Sequence, residues 1–298
     1  MAELPRQPGP DWELTAWARS SGLLTDEQAE QRFTAAGFGR LAELVYGRGP
    51  QLTLQARWLS WLFMLDDHFD EDGGEASDTA EGVLRFMPAD PLEPTPAPGS
   101  PFTMALAGLW PELAAAMPGH LRHRFRGHVE AYVRSYHTEA AQARGGRAPS
   151  MTSYVELRRD SGAVETCLDL LELDSRARLT PALADLSAVR ELRQAANDVI
   201  CWTNDVLSYD KETACGERNN LVAVIEDERG LTRSAALALA EQMITERTGD
   251  FHRRHLLLRT AEPNGPAALF AEGAHRWITG SHRWHLESSR YRGTAICE

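Results

Sequence analysis

Apolar residues recur at helical rather than alternating spacing over six long windows, 58–71, 121–143, 153–171, 188–212, 233–259 and 267–291, and the pattern predicts a helix over each. Runs of Val, Ile and Thr between hairpin turns are absent, so an all-α bundle is the economical architecture. One segment departs from the usual amphipathic pattern. From Trp58 to Leu65 (WLSWLFML) almost every position is apolar, which predicts a helix enclosed by others rather than one on the surface. It runs directly into Asp66-Asp67-His68-Phe69-Asp70-Glu71-Asp72 and meets a stop signal at Gly73-Gly74.

The chain of 298 residues, 43% hydrophobic, can bury a large core, and a single domain over 1–298 is expected. The only Pro-rich stretch, 88–101, is short for an interdomain linker and reads as a surface loop between helices. A formal net charge of −12 argues against nucleic acid or an anionic membrane as partner, since either needs a basic face. An anionic ligand would therefore need a local positive site. Cys167, Cys201, Cys215 and Cys297 have no metal-ligand spacing, and such sparse usage suits a reducing cytoplasm. The start, MAELPRQPGP, has no basic-then-apolar signal pattern, and no apolar run reaches spanning length. A cytoplasmic protein is expected.

The acidic run changes the picture from fold to chemistry. Five acids crowd the last turn of a buried helix, where the partial negative charge of the carbonyl ends disfavours further anions. A cation should offset them. Asp66 and Asp70, four apart, share a face, while Asp67 and Glu71 lie round the side. Oxygen-only donors suit Mg²⁺, which shares its shell with water and substrate phosphates. A second set, Asn204, Ser208 and Glu212, recurs every four residues, so an amide oxygen, a hydroxyl and a carboxylate form one stripe of a helix. The plain alternatives are a solvated acidic helix end and an ordinary exposed polar stripe. The buried stem before the first set, and the pairing of the two, favour metal.

DDHFDE at 66–71 resembles the aspartate-rich motif of bacterial class I terpene synthases, and NDVLSYDKE at 204–212 resembles their second metal motif. The resemblance extends nearly to the C-terminus. It implies a single-domain helical bundle with a central active-site cavity, three Mg²⁺ ions and ionisation of an isoprenyl diphosphate followed by cyclisation of the carbocation. Position by position, it implies Asp66 as the principal ligand of the first metal pair, with Asp70 or Glu71 as companion, and Asn204, Ser208 and Glu212 as chelators of the remaining ion. Arg158 matches the family's diphosphate sensor, Ser161 its linker, where the family has Asp or Thr, and Gly162 its effector. Lys211, Arg290 and Tyr291 match the remaining diphosphate donors. A homodimer is also implied.

Phe270, Trp277, Trp284 and Tyr291 recur every seven residues and are expected on one helix face, with Phe63 opposite on the central helix. Aromatic faces stabilise cations by about 0.5–2 kcal/mol each, although such a stripe also suits plain helix packing. By the resemblance Trp277 and Trp284 are cavity wall, and Phe270 is assigned to the core. The nearest rival is a chain-elongating prenyl diphosphate synthase, which carries a second aspartate-rich motif where this chain has Asn, Ser and Glu. A non-catalytic helical interaction protein is the rival from another class. Farnesyl diphosphate is the expected substrate, with geranyl and geranylgeranyl diphosphate as alternatives.

Overall fold

A helix that is apolar on every side can only be satisfied by neighbours on every side, and α4 (Leu52–Glu71) is so placed. Trp58, Trp61 and Leu65 have no exposed surface. The indole N–H of Trp58 donates to Thr166 Oγ1 at 3.1 Å and that of Trp61 to the Phe102 carbonyl at 3.0 Å. Even Ser60 is buried, its hydroxyl turned back onto the Ala56 carbonyl. The computed structural model describes residues 10–71, 82–90, 93–145, 149–214, 216, 218–288 and 290, and no strand occurs among them.

The other helices are α1 (Pro10–Ser20), α2 (Glu27–Ala36), α3 (Phe38–Tyr46), α5 (Pro101–Ala116), α6 (Gly119–Gly145), α7 (Met151–Ser161), α8 (Val164–Asp169), the short α9 (Pro181–Ala184), α10 (Ser187–Ala214), α11 (Leu221–Arg229), α12 (Arg233–Ala261) and α13 (Pro266–Glu287), of which α1, α3 and α5 pack directly on α4. The long α10 packs on α12 and α13, α13 packs on α3, and α3 on α4. Helix α13 comes close enough to α3 that a Cβ at Gly280 would sit 2.7 Å from the Leu44 carbonyl oxygen, so only glycine fits there. Residues 93–99 are exposed, as a surface loop should be, and Ser100 and Thr103 form a capping box that starts α5 at Pro101. No helix among the described residues is long and apolar enough to cross a membrane.

Two expected helices are shorter than the periodicity predicts. The window 153–171 is divided, because Ala163 takes a left-handed conformation (φ 52°) between α7 and α8, and a 3₁₀ turn (Leu170–Leu173) follows. Gly162 allows the chain to pass here: a Cβ on it would lie 2.3 Å from Cys201 Sγ. The window 267–291 ends at Glu287, where Ser288 turns extended and gives its hydroxyl to the Ala36 carbonyl. Tyr291 lies outside the described residues, as does the Gly73-Gly74 stop signal, so the expected four-aromatic face is described only from Phe270 to Trp284.

Buried charge ties α6, α8 and α10 together well below the acidic motifs. Asp169, fully buried, accepts from Arg124, His128 and Arg193, and Arg193 also bonds Glu165. Burial by itself would raise the Asp169 carboxyl, but His128, Arg193 and Arg124 reverse the effect and hold it well below the usual carboxylate range.

Candidate active site

The last turns of α4 deliver Asp66 and Asp67 to the inside of the bundle. Asp66 Oδ1 accepts from the Tyr136 hydroxyl at 2.9 Å, and that hydroxyl is linked to Tyr132 on the preceding turn of α6. Asp66 keeps 43% of its side-chain surface, and the rest is crowded by Tyr136 and by the Arg290 guanidinium. Burial therefore pushes its carboxyl up, Arg290 opposes the rise and the neighbouring Asp67 adds to it. Asp67 receives both ends of the Arg290 guanidinium, at 2.5 and 2.7 Å. The side chains of Asp70 and Glu71 lie outside the described residues.

On the facing helix, the four-residue spacing of Asn204, Ser208 and Glu212 holds because α10 is unbroken through all three. The Ser208 hydroxyl donates to the Asn204 carbonyl at 2.7 Å, which leaves its lone pairs outward. Glu212 accepts from Asn220 Nδ2 at 2.8 Å, and burial followed by repulsion from Asp205 raises its carboxyl. Lys211 is exposed and lies two turns beyond Asn204 on nearly the same face. Asp205, the second residue of the motif, points into the core instead. Fully buried, it accepts from the Tyr154 hydroxyl, from Arg158 Nε at 2.9 Å and from the Leu221 backbone N–H at 2.7 Å, and so braces α7 and α11 against α10.

Arg158 is the link between the two sets. Its Nη2 donates to Asn204 Oδ1 at 2.9 Å, and its charge reaches Asp66 and Glu212. Burial disfavours its charge, but Asp205 more than compensates and the guanidinium stays protonated well beyond the ordinary arginine range. Its neighbour Arg159 faces away, as helical geometry requires, and grips Asp198 with two bonds at 2.7 and 2.9 Å. Ser161 Oγ is buried without a well-aligned hydrogen bond and sits beside Glu139. The Gly162 backbone N–H caps α7 on the Arg158 carbonyl at 3.0 Å.

Beneath the acids lies an aromatic layer. Phe63 is half-buried, stacks on Phe38 at 5.2 Å and meets Trp284 at 5.2 Å, with the Arg290 guanidinium 5.3 Å over its ring. Trp284 is enclosed, its indole N–H held by the Ala36 carbonyl at 2.9 Å, so it backs Phe63. Trp277 lies edge-on to Tyr46 at 5.9 Å. Phe270 is core, beneath Arg193.

Sequence reasoning missed several members. Tyr136 and Glu139 occupy one face of α6, and Glu139, raised by burial, is bonded by Asn219 Nδ2 at 2.6 Å. His285, buried on α13, accepts from Asn204 Nδ2 at 3.1 Å, and burial pushes its imidazole down to about 4. The spacing of Tyr132, Tyr136 and Glu139 was a usable signal; nothing local marks His285.

The donor set fits a hard divalent ion. Two half-buried carboxylates, Asp66 and Glu212, are disfavoured as anions, and every other candidate atom is an amide, hydroxyl or carboxylate oxygen. Among the described residues no group of three His, Cys, Asp or Glu side chains is arranged to hold a metal ion. The side chains of Asp70 and Glu71 are not among those described, and the α10 set offers an amide and a hydroxyl beside its one carboxylate.

The family model for terpene synthase family 2, C-terminal metal binding, matches residues 57–250, from the middle of α4 to α12. The (+)-T-muurolol synthase of Roseiflexus castenholzii is 34% identical over 295 residues, 95% of this chain and 89% of that protein. The (−)-delta-cadinene synthase of Streptomyces clavuligerus is 31% identical over 302 residues, covering 97% and 91%. Among solved structures, linalool/nerolidol synthase from Streptomyces clavuligerus superposes with a TM-score of 0.83 at 19% identity over 93% of this chain and 97% of that one, a likeness of fold. Germacradien-4-ol synthase from Streptomyces citricolor gives 0.77 at 24% identity, over 95% and 97%. An all-helical architecture among the described residues, two oxygen-rich sets linked through Arg158 and these relatives agree, and the chain belongs to the bacterial class I terpene synthase family, whose members are metal-binding terpene cyclases.

Proposed function

We propose that this terpene synthase uses Mg²⁺ to ionise farnesyl diphosphate and cyclises the farnesyl cation to a sesquiterpene, releasing diphosphate. The observation that carries the reading is the position of Arg158, bonded to Asn204 of one acidic set and within electrostatic reach of Asp66 of the other. A diphosphate between the two sets would meet that guanidinium. The substrate follows from relatives such as the T-muurolol synthase, described as cyclising (2E,6E)-farnesyl diphosphate.

In this reading Asp66, with Asp70 or Glu71, and the trio Asn204, Ser208 and Glu212 hold three ions in all once diphosphate is present. Bound there, Mg²⁺ supplies Lewis-acid stabilisation of the charge that develops on the departing diphosphate. Arg158, Lys211, Arg290 and Tyr291 donate N–H and O–H groups to phosphate oxygens as the allylic C–O bond breaks and its electron pair leaves with the diphosphate. Ser161 and Gly162 transmit the engagement of Arg158 to the bend between α7 and α8. Phe63, backed by Trp284, and Trp277 form the apolar wall that keeps water from the cation, with the Phe63 ring offering its face to it. A homodimer, a cytoplasmic location and a single domain over 1–298 belong to the same reading.

The test is incubation with geranyl, farnesyl and geranylgeranyl diphosphate, with Mg²⁺ or with excess EDTA, followed by gas chromatography. A cyclic C15 hydrocarbon or alcohol from farnesyl diphosphate alone, absent with EDTA, is expected. Full turnover in EDTA, or a longer prenyl diphosphate formed when isopentenyl diphosphate is added, overturns the reading.

A further inference from the structure

We infer that His285 is a positioning residue that fixes which end of the Asn204 amide faces the metal site; the inference rests on the proposed role of Asn204 as a metal ligand. An asparagine side chain is nearly symmetric in shape, but only its oxygen can bind a cation. Turned over, the amide would present an NH₂ group to the ion, and the site would lose a ligand. The orientation is therefore a functional variable.

Two neighbours bear on it. His285 Nδ1 lies 2.7 Å from the Ser281 carbonyl one turn earlier on α13. A carbonyl can only accept, so Nδ1 carries the ring proton and Nε2 of the neutral imidazole is a bare acceptor. That acceptor lies 3.1 Å from Asn204 Nδ2. On the opposite side Arg158 Nη2 donates to Asn204 Oδ1 at 2.9 Å. Turning the amide over would set oxygen against the lone pair of Nε2 and NH₂ against the guanidinium, two mismatches in place of two hydrogen bonds, in a largely desolvated setting.

The two neighbours are not equivalent during turnover. Arg158 must leave Asn204 Oδ1 if it is to engage diphosphate, since the oxygen it now occupies is the one offered to metal. Once it has moved, His285 alone of the two still holds the amide. His285 is buried, tied to its own helix through Ser281 and contributed by α13 rather than by α7 or α10, so it can keep the setting while α7 adjusts. A fixed outer partner of this kind is worth roughly 10- to 100-fold in metal affinity at other sites.

The experiment measures Mg²⁺ affinity of the full chain by calorimetry in the presence of inorganic pyrophosphate, without turnover. His285→Leu removes the acceptor and should weaken Mg²⁺ by roughly 10- to 100-fold. His285→Gln, whose Oε1 can accept from Asn204 Nδ2, should restore most of the affinity. The decisive arm is the Asn204→Asp background: a carboxylate has no wrong end, so adding His285→Leu there should not weaken Mg²⁺ binding further. His285→Met, of similar bulk and without a strong acceptor, replaces the Leu variant if that protein does not fold. Equal losses in the two backgrounds, or no loss in the native one, overturn the positioning role while leaving the metal site standing. A parent protein without Mg²⁺-dependent pyrophosphate binding overturns both.

Discussion

Arg158 donates through Nη2 to the amide oxygen of Asn204 at 2.9 Å, so the guanidinium and the oxygen proposed to meet metal are tied to each other before any ligand arrives. Diphosphate and metal together can separate them, because each takes one partner of the pair. A lysine at 158 could balance the charge of Asp205 but could not hold Asp205 and Asn204 through one planar fork. Arg158→Lys should therefore reduce the ionisation rate at saturating Mg²⁺ by at least about 100-fold, close to the loss of one transition-state donor. Arg159→Lys should stay near the parent rate, because Arg159 is spent on Asp198, which Arg247 also holds at 2.8 Å. Single-turnover release of diphosphate separates the two, and equal mild losses would remove the sensor role from Arg158.

The aromatic layer should divide into a face that meets the cation and a face that supports it. Phe63 is half-buried with Arg290 over its ring, whereas Trp284 is sealed behind it. Phe63→Leu should alter the product ratio seen by gas chromatography with little change in the rate of diphosphate release. Trp284→Phe should lower stability by about 1–3 kcal/mol through lost volume and the lost bond to Ala36, while the Ala36 carbonyl keeps its bond from Ser288. Chemical denaturation of both variants checks the division. Constant product ratios in Phe63→Leu would make the whole layer core packing.

Two carboxylates should respond to neutralisation with opposite signs. Asp169 is held well below its ordinary value by His128, Arg193 and Arg124 against its burial, so its ionised form stabilises the fold. That stability is present above the unfolded carboxyl value, about 3.9, and is lost as pH falls below it toward the folded value. Asp169→Asn should cost about 3–5 kcal/mol at neutral pH, as expected when one member of a buried ion network is removed. Asp66 is raised, chiefly by burial, so its ionised form opposes folding and its stability deficit closes as pH falls through the raised value. Asp66→Asn should therefore raise the melting temperature of the metal-free protein while removing most turnover, the usual exchange between a strained site and a stable one. A lower melting temperature for this variant would contradict the assignment of strain.

What the sequence disclosed follows from the range of each interaction. The stripe Asn204, Ser208 and Glu212 was readable because one helix spans all three, and the enclosure of α4 because apolar residues on every side leave few other choices. The division of the 153–171 window was not readable, since it depends on the space Cys201 leaves for Gly162. Asp67 gave no sign that Arg290 would seize it, and nothing in the motif marked Asp205 as the brace it is. The partnership of His285 with Asn204 joins helices remote in the chain, and no local pattern encodes it. Periodicity reports what a helix does to itself; pairings between helices need the fold.

The clamp around Asp169 also makes α10 a beam built in at one end. Arg193, fixed by Glu165 and Asp169, anchors it, and residues 195–202 are buried without interruption. Beyond Asn204, about 16 Å further along at 1.5 Å per residue, exposed positions appear at Leu207, Asp210 and Lys211. Backbone hydrogen bonds at the exposed end open at lower free energy than those in the root. The turns that bear Ser208 and Glu212 are therefore where α10 is expected to exchange its amide protons first, with the root around Arg193 exchanging last.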